Sequence, residues 1–263
     1  MLNSSQKAVI VTGAASGLGK AMTLALLRAG FRVCGVGRSE KNLDALAATV
    51  RRLGKAEALE TVVGDVQSAD DCARCVMAGI DRFGRLDGLI NNAGATTRAG
   101  ATALRFFELS DVDWESSMAT NVNGAFFMAR AIAPHLIAAG WGRIVNHSTN
   151  YGTMIRAGMT PYGPSKAALE AATAAWASEL AGTGVTVNAI LPGGVANVPR
   201  ISVAEYPDRE KLVQPAVLGP PIVWLMSDAS NAISGRRIVA NRWQNDATDE
   251  ENLRLAAAPA AWK

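Results

Sequence analysis

Ala8-Val9-Ile10-Val11-Thr12-Gly13-Ala14-Ala15-Ser16-Gly17-Leu18-Gly19 begins as an apolar, β-branched run and breaks into a glycine-rich turn. Four consecutive apolar residues without alternation read as a strand buried on both faces, as in a parallel sheet covered by helices. A helical pattern follows from Leu18 to Ala29. Gly13, Gly17 and Gly19 let the backbone turn sharply and let a phosphate approach the first N–H groups of that helix. A glycine loop set between a first strand and a first helix is a far stronger signal than the same glycines alone. It makes Gly13, Ser16, Gly17, Leu18 and Gly19 candidate phosphate-binding residues. The spacing, Gly-x-x-x-Gly-x-Gly, departs from the Gly-x-Gly-x-x-Gly form.

The same strand–helix alternation continues outward. Arg32 to Val36 reads as a second strand, and its end is where the adenosine ribose of a dinucleotide lies in such folds. An acidic residue there would hold a free 2′-hydroxyl, but the sequence has Gly37-Arg38-Ser39. The planar fork of Arg38 suits a 2′-phosphate instead. Glu40 to Leu53 is a helix by its leucine and valine spacing. Thr61 to Val66 reads as strand three with Asp65 at its exit, and Ser68 to Phe83 as a helix capped by Ser68. Leu86 to Ile90 is strand four and ends in Asn91-Asn92-Ala93-Gly94. A long helix spans roughly Trp114 to Ala139 and carries Asn121, a polar residue that needs bonded partners if buried. Arg143 to Asn146 is strand five, Tyr162 to about Ala181 a helix, and Val185 to Leu191 strand six, ending in Pro192-Gly193-Gly194.

Beyond that point the pattern changes. From Val195 to about Pro221 periodicity fails and prolines and charges crowd in, the mark of a lid or binding loop. Ile222 to Ser227 reads as a short helix and Arg237 to Ala240 as a last strand. The tail, 244–263, is charged and then alanine-rich, and reads as partly mobile. The expected fold is a single α/β domain over 1–263, a doubly wound parallel sheet with helices on both faces. Ligands of such sheets sit at the carboxyl ends of the strands, and the glycine loop, Arg38, Asp65, Asn91, Thr149 and Gly193 all fall at such ends.

Composition narrows the function. With 49% hydrophobic and 19% charged residues among 263, a two-sided core is well supplied. A net charge of +3, from 26 basic and 23 acidic residues, is too small to indicate nucleic acid. No apolar run is long enough for a membrane helix, and Met1 to Lys7 is too polar for a signal peptide. Cys34, Cys72 and Cys75 are sparse and odd in number, which points to a reducing cytoplasm. Cys72-x-x-Cys75 lies in a helical pattern without a second ligand pair and reads as packing; with His135 and His147 the only histidines, no metal site is expected.

The chemistry is expected around Tyr162 and Lys166, four apart at the start of a helix and therefore on one face. A phenol titrates near pH 10, and a cation held beside it favours phenolate and brings that value toward neutrality. Thr149, thirteen residues upstream, could orient a carbonyl or alcohol oxygen.

Thr12 to Gly19, Asn91-Asn92-Ala93-Gly94, Asn121, Tyr162-x-x-x-Lys166 and Pro192-Gly193, in this order, make the chain resemble the short-chain dehydrogenase/reductase family from about Lys7 to Ala240. The resemblance implies a seven-stranded Rossmann sheet and a homotetramer or homodimer. It implies Tyr162 as proton donor or acceptor, Lys166 as the group that tunes it and holds the nicotinamide ribose, and Asn121 as support for a proton-relay water. It places Asp65 and Val66 near adenine, Asn92, Ala93 and Gly94 along the cofactor, and Pro192, Gly193 and Val195 near nicotinamide. Two positions depart from the pattern. The family's catalytic serine falls on Thr149, with Ser148 just before it, and Asn197 stands where a threonine often contacts the cofactor amide. The resulting expectation is an NADP(H)-dependent oxidoreductase, preferring NADP(H) over NAD(H), acting on a small ketone, aldehyde or secondary alcohol. The alternatives are a dehydratase or epimerase of the same fold, or a dinucleotide-binding regulatory protein without catalysis. Val198, Pro199, Ile201, Val203 and Tyr206, with Tyr151, Met154 and Ile155, offer a largely apolar lining suited to a hydrophobic ketone, while Arg98, Arg156 and Arg200 could serve an acidic group.

Overall fold

The computed structural model describes residues 7–96, 104–199 and 201–261; Arg98 and Arg200 lie outside them. Strand β1 (Ala8–Thr12) is followed by α1 (Gly17–Arg28), β2 (Arg32–Gly37), α2 (Glu40–Arg52), β3 (Leu59–Val63), α3 (Ala69–Phe83) and β4 (Gly88–Asn91). The second half runs α4 (Asp111–Met118), a π-helical segment (Ala119–Asn123), α5 (Gly124–Ala138), β5 (Gly142–His147), α6 (Tyr151–Met154), α7 (Tyr162–Glu179) and β6 (Val185–Leu191). It closes with α8 (Gly219–Leu225), β7 (Arg236–Val239), α9 (Asp249–Ala256) and β8 (Ala257–Pro259).

The sheet order is β3-β2-β1-β4-β5-β6-β7-β8. The strands β1 to β7 run parallel. The period of two along each strand divides the core. Val9 and Val11 face α1, α2 and α8 with Leu18, Met22, Leu26, Leu46 and Ile222. Ala8 and Ile10 face α3 and α5 with Cys72, Val76, Met128 and Ile132. Strand order reverses between β1 and β4, which leaves a crevice at their carboxyl ends.

Three expectations need correction. The sheet has eight strands, not seven. The eighth comes from the tail, which is folded rather than mobile. Thr248 caps α9 in a reciprocal box with Glu251, and β8 then pairs antiparallel with β7, Arg237 opposite Ala258. Alanine-rich sequence carries little strand signal; the pairing is offered by the open edge of β7. The stretch after Val195 is irregular but tied down, with a parallel bridge between Ala196 and Val213. Finally, α8 starts at Gly219, because Pro220 and Pro221 fill its first turn, where a missing N–H costs nothing.

Candidate active site

The crevice holds a cavity of about 380 Å³. Gly13, Ser16, Gly17 and Leu18 reach it from the first loop, Arg38 from the end of β2, and Asp65 and Val66 from beyond β3. Asn92, Ala93 and Gly94 line it from the β4 exit, and Tyr162 and Lys166 from α7. Ala15, Asn42, Thr120 and His147 also line it, outside the motifs that mark the site in the sequence. Asn42 had a legible signal: its N–H is donated to the Ser39 cap at 3.3 Å, which sets it in the first turn of α2.

The glycine loop is shaped for an anion. Gly13 and Gly17 have φ of +65° and +50°, a region that L side chains rarely adopt. A Cβ on Gly19 would stand 2.1 Å from the Gly13 carbonyl oxygen, so this glycine lets α1 pack onto the loop. Gly19 itself does not line the cavity. The cap residue of α1, Ser16, makes no side-chain capping bond and the first turn has no acidic residue. The first N–H groups therefore face the cavity without a competing carboxylate. The loop is laced to the β4 exit: Thr12 Oγ1 accepts from Asn92 N at 3.0 Å and Ala93 N at 2.9 Å, and Asn92 Nδ2 donates to the Thr12 carbonyl at 2.9 Å. At the far end, the Arg38 side chain is 69% exposed and its carboxylate neighbour Asp65 is 3.9 Å away. The guanidinium is thus open to a second anion beside Ser39 and Asn42. A glycine cradle and an exposed guanidinium lining one cavity fit a phosphorylated dinucleotide.

Tyr162 and Lys166 are both buried. Lys166 Nζ donates to the His147 carbonyl at 2.7 Å and lies 6.0 Å from the centre of the Tyr162 ring. Asn121 sits behind the cavity wall and does not line it. Its Nδ2 donates to Ala95 O and Ser165 Oγ, each at 2.8 Å, and its Oδ1 accepts from Ala95 N at 2.8 Å. Ser165 Oγ donates in turn to the Tyr162 carbonyl at 2.7 Å. Asn121 therefore joins the β4 exit to the first turn of α7, from within the π-helical segment.

Thr149, just past β5, is half-buried and outside the cavity lining. Ser148 points into the core and donates to Glu170 Oε2 at 2.5 Å. Pro192, Gly193 and Val195 do not line the cavity either. The Pro192 carbonyl accepts from Asn241 N at 3.1 Å, and Val195 O from Val213 N at 2.9 Å. Gly193, at φ +95°, packs on Asn241. Asn197 is spent on the loop itself, between Gln214 and Arg209, and Arg209 also donates to the carbonyls of Val198 and Ile201. That clamp holds Val198 and Pro199 over the cavity.

Residues 7–205 match the family model described as short chain dehydrogenase. A 3-oxoacyl-[acyl-carrier-protein] reductase of Thermotoga maritima is 32% identical over 242 residues, covering 88% of this chain and 95% of the relative. D-threitol dehydrogenase of Mycolicibacterium smegmatis is 32% identical over 243 residues, covering 89% and 90%. Among solved structures, a Shigella flexneri short chain dehydrogenase complexed with NADP superposes with a TM-score of 0.80 at 28% identity, over 89% of this chain and 97% of that one. A variant of the actinorhodin polyketide ketoreductase with NADPH superposes at 0.77 and 30% identity, over 89% and 95%. With most of its length matched by the family model and by relatives of equal span, this chain belongs to the short-chain dehydrogenase/reductase family of oxidoreductases, which bind a nicotinamide dinucleotide.

Proposed function

We propose that the protein is an NADP(H)-dependent oxidoreductase that interconverts a carbonyl compound and a secondary alcohol, with Tyr162 as the acid/base. One observation carries the reading: Tyr162 and Lys166 open onto the same cavity as the glycine loop and Arg38. Gly13, Ser16, Gly17 and Leu18 would hold the pyrophosphate, Arg38 with Ser39 and Asn42 the 2′-phosphate, and Asp65 and Val66 the adenine side. The bound nucleotide supplies or accepts the hydride. The protein's own part is placement and proton transfer. Tyr162 gives its phenolic proton to the substrate oxygen in reduction and takes it back in oxidation. Lys166, fixed by the His147 carbonyl, stabilises the phenolate and contacts the ribose. The Thr149 hydroxyl orients the substrate oxygen, and Asn121 supports the proton path by holding the β4 exit against α7. Two relatives that act on a ketoacyl group and on a polyol, by their names, support a carbonyl/alcohol pair. The loop 195–221 is the substrate lid. Pro192, Gly193 and Val195 would meet nicotinamide after that loop adjusts. Three free buried thiols support a reducing compartment such as the cytoplasm. Exposed apolar side chains on α4 and α5 (Val112, Trp114, Phe126, Ile137) support a homodimer or homotetramer.

The test is Tyr162→Phe, which removes one oxygen. NADPH affinity should stay within about twofold, while turnover of ketones found in a screen should fall by about 10²–10⁴. Near-normal turnover would remove Tyr162 from the mechanism. If substrate is converted with no net change in NADPH absorbance, the dehydratase or epimerase reading gains. If no substrate is found at all, the non-catalytic reading gains.

A further inference from the structure

Two buried charges play no part in the cavity. Glu170 on α7 and Arg237 on β7 have side chains 0% and 6% exposed, with Arg237 Nε 2.6 Å from Glu170 Oε1. The other oxygen of Glu170 accepts the Ser148 hydroxyl at 2.5 Å. Arg237 Nη2 donates to the Thr149 carbonyl at 2.8 Å. The guanidinium carbon lies over the Tyr151 ring, 3.7 Å from its centre, and the Tyr151 hydroxyl donates to the carbonyls of Pro259 and Ala261 at 3.2 and 3.1 Å. Two consecutive residues leaving β5 are thus gripped from one ion pair, Ser148 by its side chain and Thr149 by its carbonyl.

An ion pair this deep adds little to stability over apolar residues of similar volume, because both charges are stripped of water. Its geometry has a more specific consequence. We infer that Glu170 and Arg237 are positioning residues that aim the Thr149 hydroxyl by fixing the backbone on either side of it. A serine could rotate its hydroxyl into place from a loosely held backbone. Threonine is branched at Cβ and restricted at χ1, so its hydroxyl direction follows its backbone closely. The inference rests on the proposed role of Thr149.

The experiment uses the full-length protein and one ketone substrate with saturating NADPH. Glu170→Gln combined with Arg237→Met removes both charges together, so neither is left buried alone, and the glutamine still accepts from Ser148. We expect a melting temperature near that of the unmutated protein, unchanged NADPH affinity, and kcat lowered about tenfold to a hundredfold by misplacement of the hydroxyl. Thr149→Val is then made alone and in the double-variant background. If the pair acts through Thr149, the two losses overlap and the combined variant is little worse than Thr149→Val alone. Normal turnover of the double variant, or losses that multiply in full, would overturn the inference while leaving the oxidoreductase reading standing. Should the double variant fail to fold, Arg237→Lys carries the same test, since an ammonium keeps the charge beside Glu170 but cannot span both partners. An unmutated protein that reduces no ketone with either nucleotide would defeat the carbonyl reading and this inference with it.

Discussion

Arg38 follows Gly37 at the end of β2, with its side chain 69% exposed and 3.9 Å from Asp65. A charge-assisted bond to a 2′-phosphate contributes about 1.5–3 kcal/mol. Arg38→Ala should therefore weaken NADPH binding by roughly tenfold or more and leave NADH binding nearly unchanged. Fluorescence titration with both nucleotides checks this, and an unmutated protein that binds NADH at least as tightly would refute it. Thr149 and Ser148 are neighbours of like chemistry with separate fates. The strand alternation sends Ser148 into the core to Glu170 and leaves Thr149 half-buried at the strand end.

At the scale of elements, the first loop and α1 form a tight joint. A methyl group on Gly19 would meet the Gly13 carbonyl at 2.1 Å and Asn92 Nδ2 at 2.4 Å. Backbone cannot step aside as a side chain can, so Gly19→Ala must push α1 away from the loop. Overpacking of this kind costs about 1–3 kcal/mol or more. The expected result is a lower melting temperature together with weaker binding of either nucleotide. Gly152→Ala is the control, because a Cβ there meets nothing within 4 Å; it should leave both properties unchanged. The tail works at the same scale. By pairing β8 with β7 it covers a sheet edge, and through Tyr151 it closes over Arg237.

At the scale of the whole molecule, buried thiols and a lysine-bound aspartate shape the response to pH. Burial raises the thiols of Cys34, Cys72 and Cys75 above the usual 9.0, with nearby negative charge adding to the rise at Cys72, which reaches about 12. In the unfolded chain these thiols lose protons near pH 9, whereas the folded protein keeps them. Their contribution to stability is therefore intact below pH 9 and lost as pH rises toward the folded values. The melting temperature should decline above pH 9, with a shallower slope in Cys34→Ala. A thiol reagent at neutral pH should label the native protein slowly and all three cysteines after denaturation. At the acid end, the Lys7 ammonium, bonded at 2.6 Å, holds Asp228 below its ordinary range. That contribution is present above the unfolded value of 3.8 and is lost as pH falls through the folded one. A melting temperature that did not fall with pH below about 4 would refute it.

The alternation of buried strands with helices, the glycine loop, the Arg38 position and the Tyr162–Lys166 spacing were legible in the chain. Each depends on residues close in sequence, where chain geometry leaves few options: a strand exit, a helix face, a turn that only glycine permits. The order of strands, the eighth strand, the lacing of Thr12 to Asn92 and the pairing of Glu170 with Arg237 were not. Those contacts join residues far apart in the chain, such as Thr12 with Asn92 and Ser148 with Glu170, and only the closed sheet brings them within reach. A buried Arg or Glu looks in sequence like any surface charge. Tertiary packing alone decides that Arg237 is stripped of water and obliged to find Glu170, Tyr151 and the Thr149 carbonyl.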